Sequence, residues 1–180
     1  MRITKVTTKT GDSGETGLGN GERVSKNSLR IHALGAIDKL NSILGWSRVP
    51  LNKDLSKSLE KIQQDLFNLG GELAVPNLEM RLLNETRLKW LEENIEIINN
   101  ELPPLTEFIL PGGTEECSRI HIARAECRDA ERVLVALSEK EEVPNLHKHY
   151  LNRLSDYLFN VGRKLKSIKG LDEVSWNYKK

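Results

Sequence analysis

The sequence predicts an all-α fold, a five-helix bundle preceded by a glycine-rich N-terminal loop. Three observations predict it. Apolar residues recur at three- and four-residue intervals through five long stretches. Those stretches are separated by short segments carrying Pro50, Pro76, Pro103-Pro104, and Gly112-Gly113. No segment shows sustained period-two alternation, apart from a few residues near the N-terminus.

The first helix is predicted over 28–49, with Leu29, Ala33, Ile37, Leu40 and Leu44 on one face and Pro50 closing it. The second, over 56–75, carries Leu59, Ile62, Leu66 and Leu69 in the same rhythm, with Asp54 as its expected cap and Pro76 as its stop. The third runs over 85–102 through Leu88, Leu91, Ile95 and Ile98. "FILPGGT" at 108–114 reads as a loop, and two long helices follow over 115–139 and 146–169. The organisation is one domain spanning 1–180: a head at 1–27, the bundle at 28–169 and a loosely held tail at 170–180.

Composition narrows the function. The 27 basic and 26 acidic side chains nearly cancel, which argues against a sequence-blind nucleic-acid binder. No apolar run reaches the length of a membrane span, and "MRITKVTTKT" lacks the apolar core of a secretory signal. Cys117 and Cys127 stand too far apart in one helix to bridge. The expectation is a reduced, cytoplasmic protein with no residue assigned as a metal ligand.

Two helices carry a second, polar stripe beside the apolar one. On the fourth, Ile120, Ala123, Cys127, Ala130 and Leu134 share the core face, while Cys117, His121, Arg124, Arg128, Glu131 and Arg132 fall within an arc of roughly 100° beside it. On the fifth, Asn152, Asp156, Phe159 and Arg163 project opposite Leu151, Leu154, Leu158 and Val161. Arg30, Asp38 and Asn41 share a polar side of the first. Any one such stripe reads most simply as a solvated face. In combination they hold Arg, Asn and Asp where surfaces prefer Lys and Glu, and Arg is the better phosphate-gripping residue. His121 reads as a packed helix residue, and His147 and His149 as a solvated helix start.

The head, "TKTGDSGETGLGNGERVSK" from Thr8 to Lys26, interleaves Gly11, Gly14, Gly17, Gly19 and Gly21 with hydroxyls and lysines. Such a segment lets backbone N–H groups approach an anion closely. It matches neither the P-loop nor the dinucleotide fingerprint. By composition alone it reads equally as a disordered arm or a phosphate cradle.

In order along the chain, this head with "VSKNSLR", then "GAIDKLNS", then "FILPGGT" with "HIARAECRDAER", then "LNRLSDYLF" resemble the signature blocks of the PduO-type ATP:corrinoid adenosyltransferases. The resemblance implies a five-helix bundle that assembles as a homotrimer, with each ATP site at the junction of two subunits. It implies transfer of the 5′-deoxyadenosyl group of ATP to the cobalt of cob(I)alamin or a related reduced corrinoid, with Mg²⁺ riding on the phosphates and a corrinoid reductase as a further partner. Carried over by position, Thr8, Lys9, Thr10, Gly11, Gly14, Thr16 and Lys26 become the triphosphate cradle. Arg128, Glu131 and Asn152 become helix-borne ATP ligands, with Arg132 and Asp156 close by. Asp38 and Arg124 resemble a pair joining neighbouring subunits beside the corrinoid. Phe108 resembles the aromatic that occupies cobalt's lower face, although spacing alone reads it as an aromatic plugging the core.

The chain departs from the family pattern at Asp129, where an arginine usually follows Arg128, and at Lys39 and His32, which each replace a glutamate. Two rival readings are an ATP-binding helical module or sensor without transferase activity, and a purely structural bundle with a flexible arm. The presence of Phe108, Asp38 and Arg124 favours the enzyme.

Overall fold

The computed structural model describes residues 7, 9–77 and 80–178. A short antiparallel hairpin, β1 (Glu15–Gly17) and β2 (Arg23–Ser25), leads into five helices: α1 (Leu29–Arg48), α2 (Lys53–Ala74), α3 (Glu85–Asn100), α4 (Glu115–Ser138) and α5 (Asn145–Ile168). The expected helices are all present, within three residues of their predicted ends.

Their starts follow from capping. Ser28, Asn52, Asn84 and Thr114 each offer a side-chain oxygen to an amide of the first turn. The cap of α2 is therefore Asn52, whose Oδ1 accepts from the Leu55 amide at 3.0 Å. Asp54, the expected cap, lies inside the first turn, where its carboxylate faces the positive end of the helix dipole. α1 packs on α2 and α4, α4 on α5, and α5 on α3. The predicted apolar stripes meet in one core holding Leu40, Leu44, Leu66, Ile120, Leu134, Leu154 and Leu158. Among the described residues no helix is long and apolar enough to cross a membrane.

The head is neither a loose arm nor a helix. Leu18 is buried, and the Gly19 amide donates to the Ala74 carbonyl at 2.7 Å, so the hairpin turn is docked on the end of α2. A Cβ at Gly19 would stand 2.7 Å from Val75 Cγ2, so this approach requires glycine.

Several polar residues expected at the surface lie inside. His147 is 1% exposed, with Nε2 at 2.7 Å from Glu72 Oε2, and burial pushes its imidazole below the usual histidine range. Arg30 is buried, donating to the Leu73 carbonyl and to Glu141, both at 2.8 Å. The Asn41 amide donates to the Gln63 carbonyl across the α1–α2 interface. Helical periodicity misassigns these residues because the bundle covers more of each helix than the apolar stripe alone.

The tail is also held. Glu173 pairs with Arg163, the Leu110 amide donates to the Val174 carbonyl at 2.8 Å, and the Trp176 amide donates to the Phe108 carbonyl at 2.6 Å. The tail thus lies against the loop before α4 as an added extended segment.

One buried network ties three helices. Asp65 of α2, 4% exposed, accepts from Arg87 of α3 at 2.8–2.9 Å and from the Tyr150 hydroxyl of α5 at 2.7 Å. Removing the carboxylate leaves a guanidinium and a buried hydroxyl without their acceptor, which costs about 3 kcal/mol. Asp65→Ala is therefore expected to lower the melting temperature by about 6–12 °C. An unchanged thermal transition would mean that water already satisfies this network.

Candidate active site

The polar stripes of α4 and α5 face each other across a groove of about 270 Å³ lined by Arg124, Arg128, Ser155, Asp156, Phe159 and Asn160. Their rotation follows from the core stripes beside them: once Cys127 and Leu134 of α4 and Leu151 and Leu158 of α5 are buried, the polar stripes must flank that contact. One further bond joins the two helices, Asn152 Nδ2 donating to Glu131 Oε1 at 3.1 Å. The His121 and Phe159 rings also meet across them, edge to face, 6.3 Å apart.

The groove wall is basic. Arg124 is half-buried, and its Nε has no hydrogen-bond partner. Burial and the charge of Arg128 together hold its guanidinium below the usual arginine range. Neither Arg124 nor Arg128 forms an ion pair with the described residues. The nearest carboxylate in the lining, Asp156, is engaged by Arg153 at 2.9 Å. Two guanidinium groups one helical turn apart repel each other. A bound anion between them would relieve both the repulsion and the unsatisfied Nε.

The head gathers its own candidates. The Gly14 amide donates to the Gly11 carbonyl and the Lys26 amide to the Gly14 carbonyl, at 3.2 and 2.8 Å. Lys9 and Gly14 both have left-handed backbone, with φ of 60° and 87°. The Lys26 ammonium lies over Gly11, where a Cβ would come within 3.0 Å of Nζ. Arg23 donates to the Thr10 carbonyl at 2.7 Å, and Thr16 lies in β1 opposite Val24. Thr8 lies outside the described residues.

Among the described residues of one chain these two halves do not meet: none of the head lines the groove. Asp38 is exposed on α1 and forms no ion pair with Arg124. Arg132 turns away from the groove to Asp129, 2.6 Å distant. Cys117 and His121, assigned to the polar stripe, are buried. Phe108 is 78% exposed, which excludes a core-plugging role, and it touches the edge of the Trp176 ring. Sequence reasoning did not assign Ser155, Phe159 and Asn160 to the site. Their spacing from Asp156 on α5 was a signal that could have found them.

The chain matches known proteins along nearly its whole length. A family model described as cobalamin adenosyltransferase matches residues 6–165. A cobalamin adenosyltransferase of Cupriavidus metallidurans is 46% identical over 177 residues, covering 97% of this chain and 95% of the relative. This chain belongs to the cobalamin adenosyltransferase family. A corrinoid adenosyltransferase of Bacillus subtilis is 43% identical over 178 residues, covering 96% and 92%. Among solved structures, a variant of a PduO-type ATP:corrinoid adenosyltransferase from Lactobacillus reuteri, complexed with cobalamin and ATP, is similar with a TM-score of 0.91 at 35% identity. The match covers 96% of this chain and 99% of that one.

The departures from the family pattern are related. Lys39 Nζ of α1 lies 2.6 Å from Glu126 Oε2 of α4. The Glu126 hydrogen bond, reinforced by the charges of Glu126 and Asp129, raises the Lys39 ammonium above its usual range. Lys39 of α1 thus lies along one α1–α4 seam with Glu126, its ion-pair partner, and with Asp129, whose charge also attracts it. His32 is separate, bonded to Asn27 Oδ1 at 2.9 Å. Lys39→Glu and Asp129→Arg are each expected to lower the melting temperature. The double variant should lose less than the sum of the two, because it restores an opposite pair. Strict additivity would show that positions 39 and 129 do not sense each other.

Proposed function

We propose that this chain transfers the 5′-deoxyadenosyl group of ATP to the cobalt of cob(I)alamin or a related reduced corrinoid, forming adenosylcobalamin and releasing triphosphate. The observation that carries this reading is the pair of uncompensated guanidinium groups in the α4–α5 groove, within a chain similar along its length to a PduO-type enzyme complexed with both substrates. The cobalt of the reduced corrinoid supplies an electron pair to C5′. The C5′–oxygen bond breaks, its pair leaves with the triphosphate, and no proton moves. The protein therefore needs neither a nucleophile nor a general base. It holds the reacting atoms in line, stabilises the departing charge and excludes water.

Arg128 is the phosphate-gripping residue of the groove. Glu131, steadied by Asn152, can only accept hydrogen bonds while ionised, so it suits ATP hydroxyls or a phosphate-bound Mg²⁺ rather than the phosphates themselves. Mg²⁺ arrives on the triphosphate, in keeping with its preference for few protein ligands. Lys9, Thr10, Gly11, Gly14, Thr16 and Lys26, with Thr8, form the triphosphate cradle. Arg132 and Asp156 lie at its margin. Because head and groove are separate in one chain, the complete site lies between subunits, the head of one protomer facing the groove of the next in a homotrimer. Asp38 meets the neighbour's Arg124 beside the corrinoid. Phe108 stands on cobalt's lower face, where an apolar ring displaces a lower ligand and eases reduction to Co(I). The buried, unpaired thiols Cys117 and Cys127 fit a reducing cytoplasm, where a reductase supplies the Co(I) substrate.

Arg128→Ala is expected to weaken ATP binding and turnover by roughly ten- to a hundredfold, the value of a lost charge-assisted hydrogen bond, while leaving the helical content intact. An anaerobic assay with chemically reduced cob(I)alamin and MgATP measures this, and wild-type kinetics would remove Arg128 from the site. Phe108→Ala is expected to keep ATP affinity but lose the four-coordinate, base-off form of bound cob(II)alamin, read from its absorbance spectrum. An unchanged base-off signal would show that Phe108 does not face cobalt.

A further inference from the structure

Arg163 sits near the end of α5 with its side chain only 2% exposed, a costly place for a charge. Its guanidinium is held on two of its three nitrogens. Nε and Nη2 donate to the two oxygens of Glu173 at 2.7 and 3.0 Å, and Nη2 also donates to the Pro103 carbonyl at 2.7 Å. One side chain therefore joins three segments: α5, the connection after α3 and the tail. The tail continues from Glu173 straight onto the Phe108 loop. Val174 accepts from the Leu110 amide, Ser175 bridges Ile109, and Trp176 both donates to the Phe108 carbonyl and sets its ring edge against Phe108, centroids 6.3 Å apart. Phe108 has little else to hold it, since its ring is mostly exposed and its loop lies outside the helices.

We propose that the Arg163–Glu173 clasp is a positioning device for the reaction: it fastens the tail, and the tail sets the backbone and ring of Phe108. This rests on the reading of Phe108 as the residue on cobalt's lower face. Neither Arg163 nor Glu173 touches substrate; they act through Trp176 and the Phe108 carbonyl. A bidentate guanidinium–carboxylate pair suits the task because its planar fork fixes orientation as well as distance. The clasp also explains why an arginine on α5 is buried opposite the core stripe, where helical periodicity alone places a solvated residue.

The test compares Glu173→Ala, Phe108→Ala and the double variant in the full chain. It measures KM for ATP, kcat/KM for cob(I)alamin and the base-off fraction of bound cob(II)alamin. Glu173→Ala is expected to leave KM for ATP within about twofold, to lower kcat/KM for cob(I)alamin by roughly tenfold or more, and to reduce the base-off signal. Glu173→Gln, which keeps one acceptor, should fall between wild type and Glu173→Ala, and carries the same comparison if the alanine variant fails to fold. In the Phe108→Ala background, Glu173→Ala should cause no further loss of base-off signal. Wild-type corrinoid kinetics in Glu173→Ala, beside a Phe108→Ala variant that does lose the base-off form, would overturn the clasp and leave the reading of Phe108 standing. Equal losses toward ATP and corrinoid would reduce the clasp to a fold-stabilising contact. A Phe108→Ala variant that keeps the base-off form would overturn both.

Discussion

Burial of one narrow stripe fixes the rotation of α4, and the site depends on that rotation. Ile120, Ala123, Cys127, Ala130 and Leu134 are essentially inaccessible, packed between α1 and α5. Their direction leaves Arg124 and Arg128 no choice but the flank that faces α5. A turn of α4 large enough to carry those guanidiniums away from α5 would expose the stripe, at about 25 cal/mol for each Å² of apolar surface. The hydrophobic contact therefore holds two like charges one turn apart, Arg124 half-buried and Arg128 exposed. The energy that keeps this wall basic comes from packing rather than from the charges themselves.

Around that core the helices are joined by polar anchors rather than by apolar contact alone. Asp65 with Arg87 and Tyr150, Arg30 with the Leu73 carbonyl and Glu141, and Glu72 with His147 each connect segments far apart in sequence, while Arg163 with Glu173 fastens the tail back onto α5. Buried pairs of this kind add little net stability over apolar residues of equal size. They do penalise every arrangement in which their partners are separated, so they select one register of the bundle and one path for the tail. The Lys39–Glu126 contact, with Asp129 nearby, differs in kind. Its lysine is exposed and its glutamate half-buried, so it lies at the edge of the packing rather than within it.

One chain carries two incomplete chemical surfaces. The head presents glycine backbone and lysines, while the groove presents arginines without acidic partners. Each is electrostatically unfinished, and among the described residues none of the head lines the groove. A polyanion is the chemical complement that both surfaces lack.

The sequence by itself determined the five helices, their core stripes and the family, because helical periodicity is local and the four signature blocks lie in order along the chain. Its spacing put Arg124, Arg128 and Glu131 on one polar stripe of α4 and Asn152 and Asp156 on one of α5, and the resemblance, not the spacing, joined Arg128, Glu131 and Asn152 as ATP ligands. Only the tertiary structure decided which polar residues stay outside. Arg30, Asn41, His147 and Arg163 lie off the apolar stripes and read as solvated, yet neighbouring segments cover them, and coverage depends on chain crossings that no local pattern records. The tail read as loose for the same reason: its partners, Arg163 and the Phe108 loop, are brought beside it by the packing of α5. The exposure of Phe108 was likewise a tertiary decision, since an aromatic at a helix entry can plug a core or leave it, and the docking of the tail settled which.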